Sequence, residues 1–172
     1  GAALNILIGG PNPADGNAID GMALDGVQVI NSNVAGTQIT IRNNVIGGTT
    51  AVLGDGIEIN NVDAGTITIA GNTIAGNATA TATNTDSGIV VFGSSGDSLT
   101  VTIGGPTAAD GNHIDGVSGN GIYVTLSGTA LSVFDILNNV IGGTSAMPGT
   151  PVAGDGIRLE NVTAGTFTVA AN

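Results

Sequence analysis

Few residues of this chain could do chemistry, and most of those are aspartates. Asp15, Asp25, Asp55, Asp110 and Asp155 each stand directly before a glycine. Carboxylates in such turns can hold calcium, which takes hard oxygen ligands. They can flank a glycosidic bond as acid and base, which requires roughly 5–10 Å between them. They can also cap a turn by accepting backbone N–H groups. The groups that could join them as a base or a cation are His113, Arg42 and Arg158, the chain having one histidine and two basic residues. A second polar signal is asparagine preceded by glycine or another asparagine, at Asn17, Asn44, Asn72, Asn112 and Asn139, and after Ala171 at Asn172. Cysteine is absent, which excludes disulfides and thiolate metal sites.

The elements that must position these groups are not those of an ordinary globular domain. Glycine is about twice as frequent as usual, charged residues are only 9% and aromatics 2%. The apolar residues are mainly Ile, Val and Ala, set among Thr, Asn and Gly, a mixture that suits narrow strands joined by tight corners. A mean hydropathy of +0.38 excludes a disordered chain. The 13 acidic residues and net charge of -11 argue against nucleic acid, whose phosphates need Lys and Arg, and against an anionic membrane surface. No apolar run approaches the ~18 residues of a membrane span. An acidic, lysine-free composition leans towards a place outside the cell or on its surface.

Internal repetition is the strongest signal. Leu4-Asn-Ile-Leu-Ile-Gly-Gly-Pro11 returns as Leu99-Thr-Val-Thr-Ile-Gly-Gly-Pro106, an offset of 99 − 4 = 95. Asp15-Gly-Asn-Ala-Ile-Asp-Gly21 and Asn43-Asn-Val-Ile-Gly-Gly-Thr49 return at the same offset, as Asp110–Gly116 and Asn138–Thr144. Gly54-Asp-Gly-Ile57 returns at 100, so five extra residues lie in the Ser145–Ala153 loop. A loop can lengthen while its flanks keep register, which is how solenoids accept insertions. The chain therefore reads as one continuous segment, 1–172, with long repeats 1–98 and 99–172.

Each long repeat divides into three units of 27–35 residues. A unit opens on an alternating strand: Leu4–Ile8, Gln38–Ile41, Thr66–Ile69, Leu99–Ile103, Val133–Ile136 and Thr166–Val169. The asparagine corner follows, with Ile19, Ile46, Ile74, Ile114 or Ile141 two residues on. A third element, Asp/Asn/Ser-Gly-(Ile/Val), covers Asp25–Val29, Asp55–Ile59, Ser87–Val91, Asn120–Val124 and Asp155–Leu159. Each strand is too short to hide its apolar face alone, so the units must stack. The expected fold is all-β: a right-handed, three-sided parallel β-helix (β-solenoid) of about six coils. The handedness follows from the ≈ 98% preference of parallel crossovers. Ile39, Ile67, Val101, Phe134 and Phe167 should form one inward stack, and Val27, Ile57, Ile89, Ile122 and Ile157 another. No segment sustains a 3.6-residue period, which excludes α/β, and an antiparallel sandwich would not require one motif at every corner.

The phrases Ile-Gly-Gly-Pro, Asp-Gly-Asn-x-Ile-Asp-Gly, Asn-Asn-Val-Ile-Gly-Gly-Thr and Asp-Gly-Ile-x-Ile resemble the parallel β-helix repeats of very large bacterial secreted or surface proteins, which share their coil with the pectate-lyase-like fold. The resemblance spans essentially the whole chain. It implies an extended exported or surface protein of which this segment is one part, and both ends, stopping inside the pattern, are expected to be covered by further copies of the repeat or by the next subunit, end to end. Pectate lyases, by the same resemblance, use clustered carboxylates for calcium and a basic residue for proton abstraction. Here Arg42, Arg158 and His113 fall in three different units, so no enzyme is expected.

Stacking places Asp25 and Asp55 at equivalent corners, and Asp15 with Asn44. These aspartates are expected to cap turns while the following glycine supplies φ > 0, with calcium the only ion they could admit and no cofactor implied. Asn17, Asn44, Asn72, Asn112 and Asn139 are expected to form a structural ladder of side-chain amides. His113 replaces Ala18 and should face outward. Thr66/Thr68, Thr100/Thr102 and Thr166/Thr168 suggest the flat threonine ladders of ice-binding solenoids, but Asn5/Leu7, Gln38/Thr40 and Val133/Asp135 interrupt the array. Asn77-Ala-Thr79 and Asn161-Val-Thr163 match the glycosylation pattern, as a chain this rich in Asn and Thr would by chance. Two functions follow: a structural filament, stalk or cell-surface fibre, and an adhesin binding a carbohydrate or surface through the loops Gly76–Ser87 and Ser145–Ala153. Those loops lack the Tyr, Trp and Arg of binding hot spots, which favours the first.

Overall fold

The computed structural model describes residues 3–30, 36–47, 52–62, 64–75, 86–93, 99–126, 132–142, 152–162 and 165–172. Its strands follow the unit pattern coil by coil. The first coil holds β1 (Asn5–Gly9), β2 (Ala18–Ile19) and β3 (Val27–Ile30), and the second β4 (Gln38–Arg42), β5 (Val45–Ile46) and β6 (Ile57–Asn60). The third holds β7 (Gly65–Ala70), β8 (Thr73–Ala75) and β9 (Ile89–Gly93), and the fourth β10 (Leu99–Gly104), β11 (His113–Asp115) and β12 (Ile122–Leu126). The fifth holds β13 (Val133–Leu137), β14 (Val140–Ile141) and β15 (Ile157–Glu160), after which β16 (Thr166–Ala170) opens a sixth.

Stacking these coils gives three sheets: β1-β4-β7-β10-β13-β16, β2-β5-β8-β11-β14 and β3-β6-β9-β12-β15. Every neighbouring pair is parallel and in register. The coil count is slightly lower than about six, because only the first sheet has a sixth strand and the other two have five. Six stacked strands make a core about 24 Å long at ~4.8 Å per step.

Alternation along each strand puts the β-branched residues inside. Ile39, Ile67, Val101, Phe134 and Phe167 are paired neighbours in one column, as are Val27, Ile57, Ile89, Ile122 and Ile157 in another. Most members are wholly buried in one continuous cluster. Phe134 and Phe167 occupy the same column as aliphatic residues, and their rings stack 4.9 Å apart at 6°.

Among the described residues the only helical turns are two short 3-10 turns, Pro13–Asp15 and Ala108–Asp110. They recur at the 95-residue offset and lengthen one corner of the first and fourth coils. In each, the carboxylate of Asp15 or Asp110 reaches back to the backbone N–H three residues before it, at Asn12 or Thr107. This corrects the expected equivalence of Asp15 with Asn44. Asp15 belongs to the inserted turn, and the partner of Asn44 is Asn17.

Candidate functional site

The asparagines lie at the corner between the first and second sheets. A chain turning a corner leaves backbone N–H groups pointing along the stack with no strand to receive them. Here the N–H of Asn17, Asn44, Asn72, Asn112 and Asn139 each donates to the side-chain Oδ1 of the asparagine in the next coil, at 2.9–3.1 Å. The Nδ2 group of each donates to the same oxygen at 2.8–3.0 Å. From Asn44 onward it also donates to a first-sheet carbonyl of the preceding coil, at Ile8, Ile41, Ile69, Ile103 and, for Asn172, Ile136. An interior amide therefore spends both its donors and accepts twice. Asn44, Asn72, Asn112 and Asn139 are buried, whereas Asn17 and Asn172 are exposed.

A second column runs along the corner that leads into the third sheet. Asp25, Asp55, Ser87, Asn120 and Asp155 stack there, and each side-chain oxygen accepts the backbone N–H of the next member. The distances are 2.8 Å for Asp55 to Asp25, 2.6 Å for Ser87 to Asp55, 3.1 Å for Asn120 to Ser87 and 3.0 Å for Asp155 to Asn120. Serine and asparagine share this task with aspartate, so the task needs an acceptor oxygen and no charge.

The glycine after Asp15, Asp25, Asp55, Asp110 or Asp155 is not there for positive φ, as the sequence led us to expect. Gly16 and Gly111 have φ of -72 and -62, and Gly26, Gly56 and Gly156 are also outside the left-handed region. At all of these but Gly156, what forbids a side chain is space. A Cβ on Gly56 would stand 2.5 Å from Ile74 Cγ2 and 2.6 Å from the Gly88 carbonyl, and Gly26 and Gly121 are as tightly enclosed. Left-handed positions lie elsewhere, among them Asn43 and Asn138, whose amides donate to the Gly10 and Gly105 carbonyls.

The column concentrates charge at one place. Carboxylate oxygens of Asp25, Asp55 and Glu58 lie within 4.8 Å of one another. The Gln28 amide donates to both Asp25 (2.8 Å) and Glu58 (2.5 Å). Burial pushes the Asp55 carboxyl up to about 7, against the lowering effect of the Ser87 N–H, and the charges of Asp25, Glu58 and Asp86 add to the rise. Burial, and then the Asp25 charge, also raise Asp86. Sequence reasoning missed both Glu58 and Asp86. Glu58 faces out of β6 beside Gln28 only once the register of β3 on β6 is known.

The other candidates are dispersed. Asp110 of the fourth coil pairs with Arg42 of the second at 2.7 Å, and the Thr107 hydroxyl, ahead of that arginine, holds its carboxyl below the usual range. Asp15 caps its turn, and Asp155, in the fifth coil, is exposed beyond Ser87 and Asn120. His113 sits on β11 between Thr73 and Val140. On the first sheet the register aligns Thr40, Thr68 and Thr102 but then places Asp135 before Thr168. Arg158 lies over the Tyr123 ring at 5.6 Å and contacts Glu160, which also accepts the Tyr123 hydroxyl at 2.7 Å. Phe92 meets Tyr123 edge-on at 5.7 Å. The loop residues 76–85 and 145–151, with Asn77-Ala-Thr79 and Thr163, lie outside the described residues.

No protein-family model matches the chain. No curated protein and no solved structure matches it either. No helix among the described residues is long and apolar enough to cross a membrane.

Proposed function

We propose that this chain is a structural solenoid, exported or displayed on a cell surface, that gives length and stiffness to a filament, stalk or fibre and catalyses nothing. Further copies of the repeat or of the subunit continue it end to end. The observation that carries this reading is the asparagine column, in which every interior side chain is consumed in joining one coil to the next. Both arginines support it, since each is held by a carboxylate outside the acidic corner. The resemblance to the repeats of large bacterial secreted and surface proteins supports the same placement. Electron microscopy of native material tests it. Rods or fibres about one coil wide are expected, and compact globular particles would overturn the reading. Saturable cleavage of a polysaccharide that vanishes on one Asp→Asn change would overturn the non-enzymatic part.

One observation favours an adhesive role as a second reading. The only tyrosine, one of three phenylalanines and one of two arginines meet on the outward face of the third sheet, at Tyr123, Phe92 and Arg158. Aromatic and arginine side chains dominate binding hot spots. Tyr123→Ala should abolish glycan retention on an array if this face binds, and leave it unchanged if the face is only structural.

A further inference from the structure

We propose that the corner between the second and third sheets, in the first two coils, docks a segment of another protein that carries apolar side chains beside lysine or arginine. Met22, Leu24 and Leu53 stand there, 41%, 77% and 45% exposed. Two backbone bonds bring them together, from the Leu53 N–H to the Met22 carbonyl at 2.9 Å and from the Gly54 N–H to the Leu24 carbonyl at 3.2 Å. Leu53 belongs to the second coil, with a coil on either side, so its exposure does not come from an open end. Large apolar side chains gathered on a surface mark contact with a partner, whereas single ones do not.

The second long repeat shows that the fold does not need them. It closes the same corner with the same two bonds, from Ala153 to Val117 and from Gly154 to Gly119. Gly119 and Ala153 stand in the places of Leu24 and Leu53, and Val117, in the place of Met22, is buried. The charge changes along with the apolar groups. Where the first repeat has Asp25 and Glu58, the second has Asn120 and Arg158.

That charge identifies the occupant. Asp25 adjoins Leu24, and one carboxylate oxygen from each of Asp25, Asp55 and Glu58 lies within 4.8 Å of the other two. All three residues are partly exposed. An apolar patch rimmed by carboxylates is complementary to apolar anchors flanked by cations. Those cations must come from a different protein. This chain has no lysine, and its two arginines are engaged with Asp110 and Glu160. A second copy would bring a net charge of -11 against the same charge.

The test is fluorescence anisotropy of a labelled amphipathic peptide of leucine and lysine, titrated with the intact chain. Saturable binding at one site per chain is expected. Peptides with serine for leucine, or glutamate for lysine, should bind at least about tenfold more weakly. The double variant Leu24→Gly, Leu53→Ala installs the residues that the second repeat carries, and circular dichroism checks that it folds. It should lose at least about tenfold in affinity. Leu7→Thr removes another exposed leucine, on the first sheet beside Thr40, and should bind as the parent does. No binding to the parent chain up to about 1 mM would overturn the proposal. Equal binding by the double variant or by the serine peptide would do so too, by showing diffuse charge attraction. A dimer of the parent chain in sedimentation that the double variant loses would assign the patch to a second copy instead, and would equally overturn it.

Discussion

Replacing Asn72 with alanine should be among the most damaging polar changes at the described residues. Its Oδ1 accepts from the backbone and side-chain nitrogens of Asn44, both at 3.0 Å. Its Nδ2 donates at 2.9 Å to Ile41 O and to Asn112 Oδ1. Alanine leaves two N–H donors of Asn44 unpaired and takes one bond from the Ile41 carbonyl, while Asn112 Oδ1 keeps the bond from the Asn72 backbone. All of these groups are buried, and an orphaned buried group costs about 1–3 kcal/mol. Allowing for relaxation, the loss should be about 3–5 kcal/mol, among the larger effects of single substitutions. Asn17→Ala removes one bond at an exposed end where water can substitute, and should cost under about 1 kcal/mol. Urea denaturation measures the difference. Because coils couple mainly to their neighbours, amide exchange at Asn44 should accompany it, and that N–H should exchange faster in Asn72→Ala. Equal stabilities for the two variants would refute the argument that the column holds the coils together.

Gly56→Ala should destabilise by about 1–3 kcal/mol through overpacking against Ile74 and the Gly88 carbonyl, in denaturation and without any change in backbone handedness. Phe134→Ala, at a wholly buried position stacked on Phe167, should cost about 3–5 kcal/mol by the same assay. Asp55 sets a pH dependence of stability. Its folded value of about 7 is raised above the ordinary 3.8, so its contribution is fully present below about pH 4 and is lost as pH rises through 7. Thermal unfolding should show that decline, and Asp55→Asn should flatten it.

How much was legible beforehand follows from which interactions are local to a unit. The strands, the inward Ile and Val columns and the asparagine corners repeat in every coil, so the sequence carries them many times over. Asp15 misled because Pro11–Asp15 is an insertion into the corner, and its motif abuts Gly16-Asn17 without belonging to the same column. The glycines misled for a different reason. A requirement for φ > 0 and a requirement for no Cβ leave the same residue type, and only the distance from Gly56 to Ile74 separates them. The acidic corner was half legible. Asp25 and Asp55 stood out by their motif, but Glu58 and Asp86 come from strand register and from a break in the glycine pattern.

The two corner columns also run in opposite senses, and this bears on stiffness. At the asparagine corner, the backbone N–H of each coil donates forward to the side chain of the next, as Asn44 does to Asn72. At the aspartate corner, the N–H of each coil donates backward to the side chain before it, as Ser87 does to Asp55. Each junction is thus held by a side chain contributed from either side, at two of the three corners. Bending that opens the asparagine corner stretches bonds of about 3 Å whose interior groups are buried from water. A break at one junction leaves orphaned groups in both coils, which favours keeping all junctions closed together. Single-molecule stretching should register that coupling as few, large unfolding steps instead of a gradual peeling of coils.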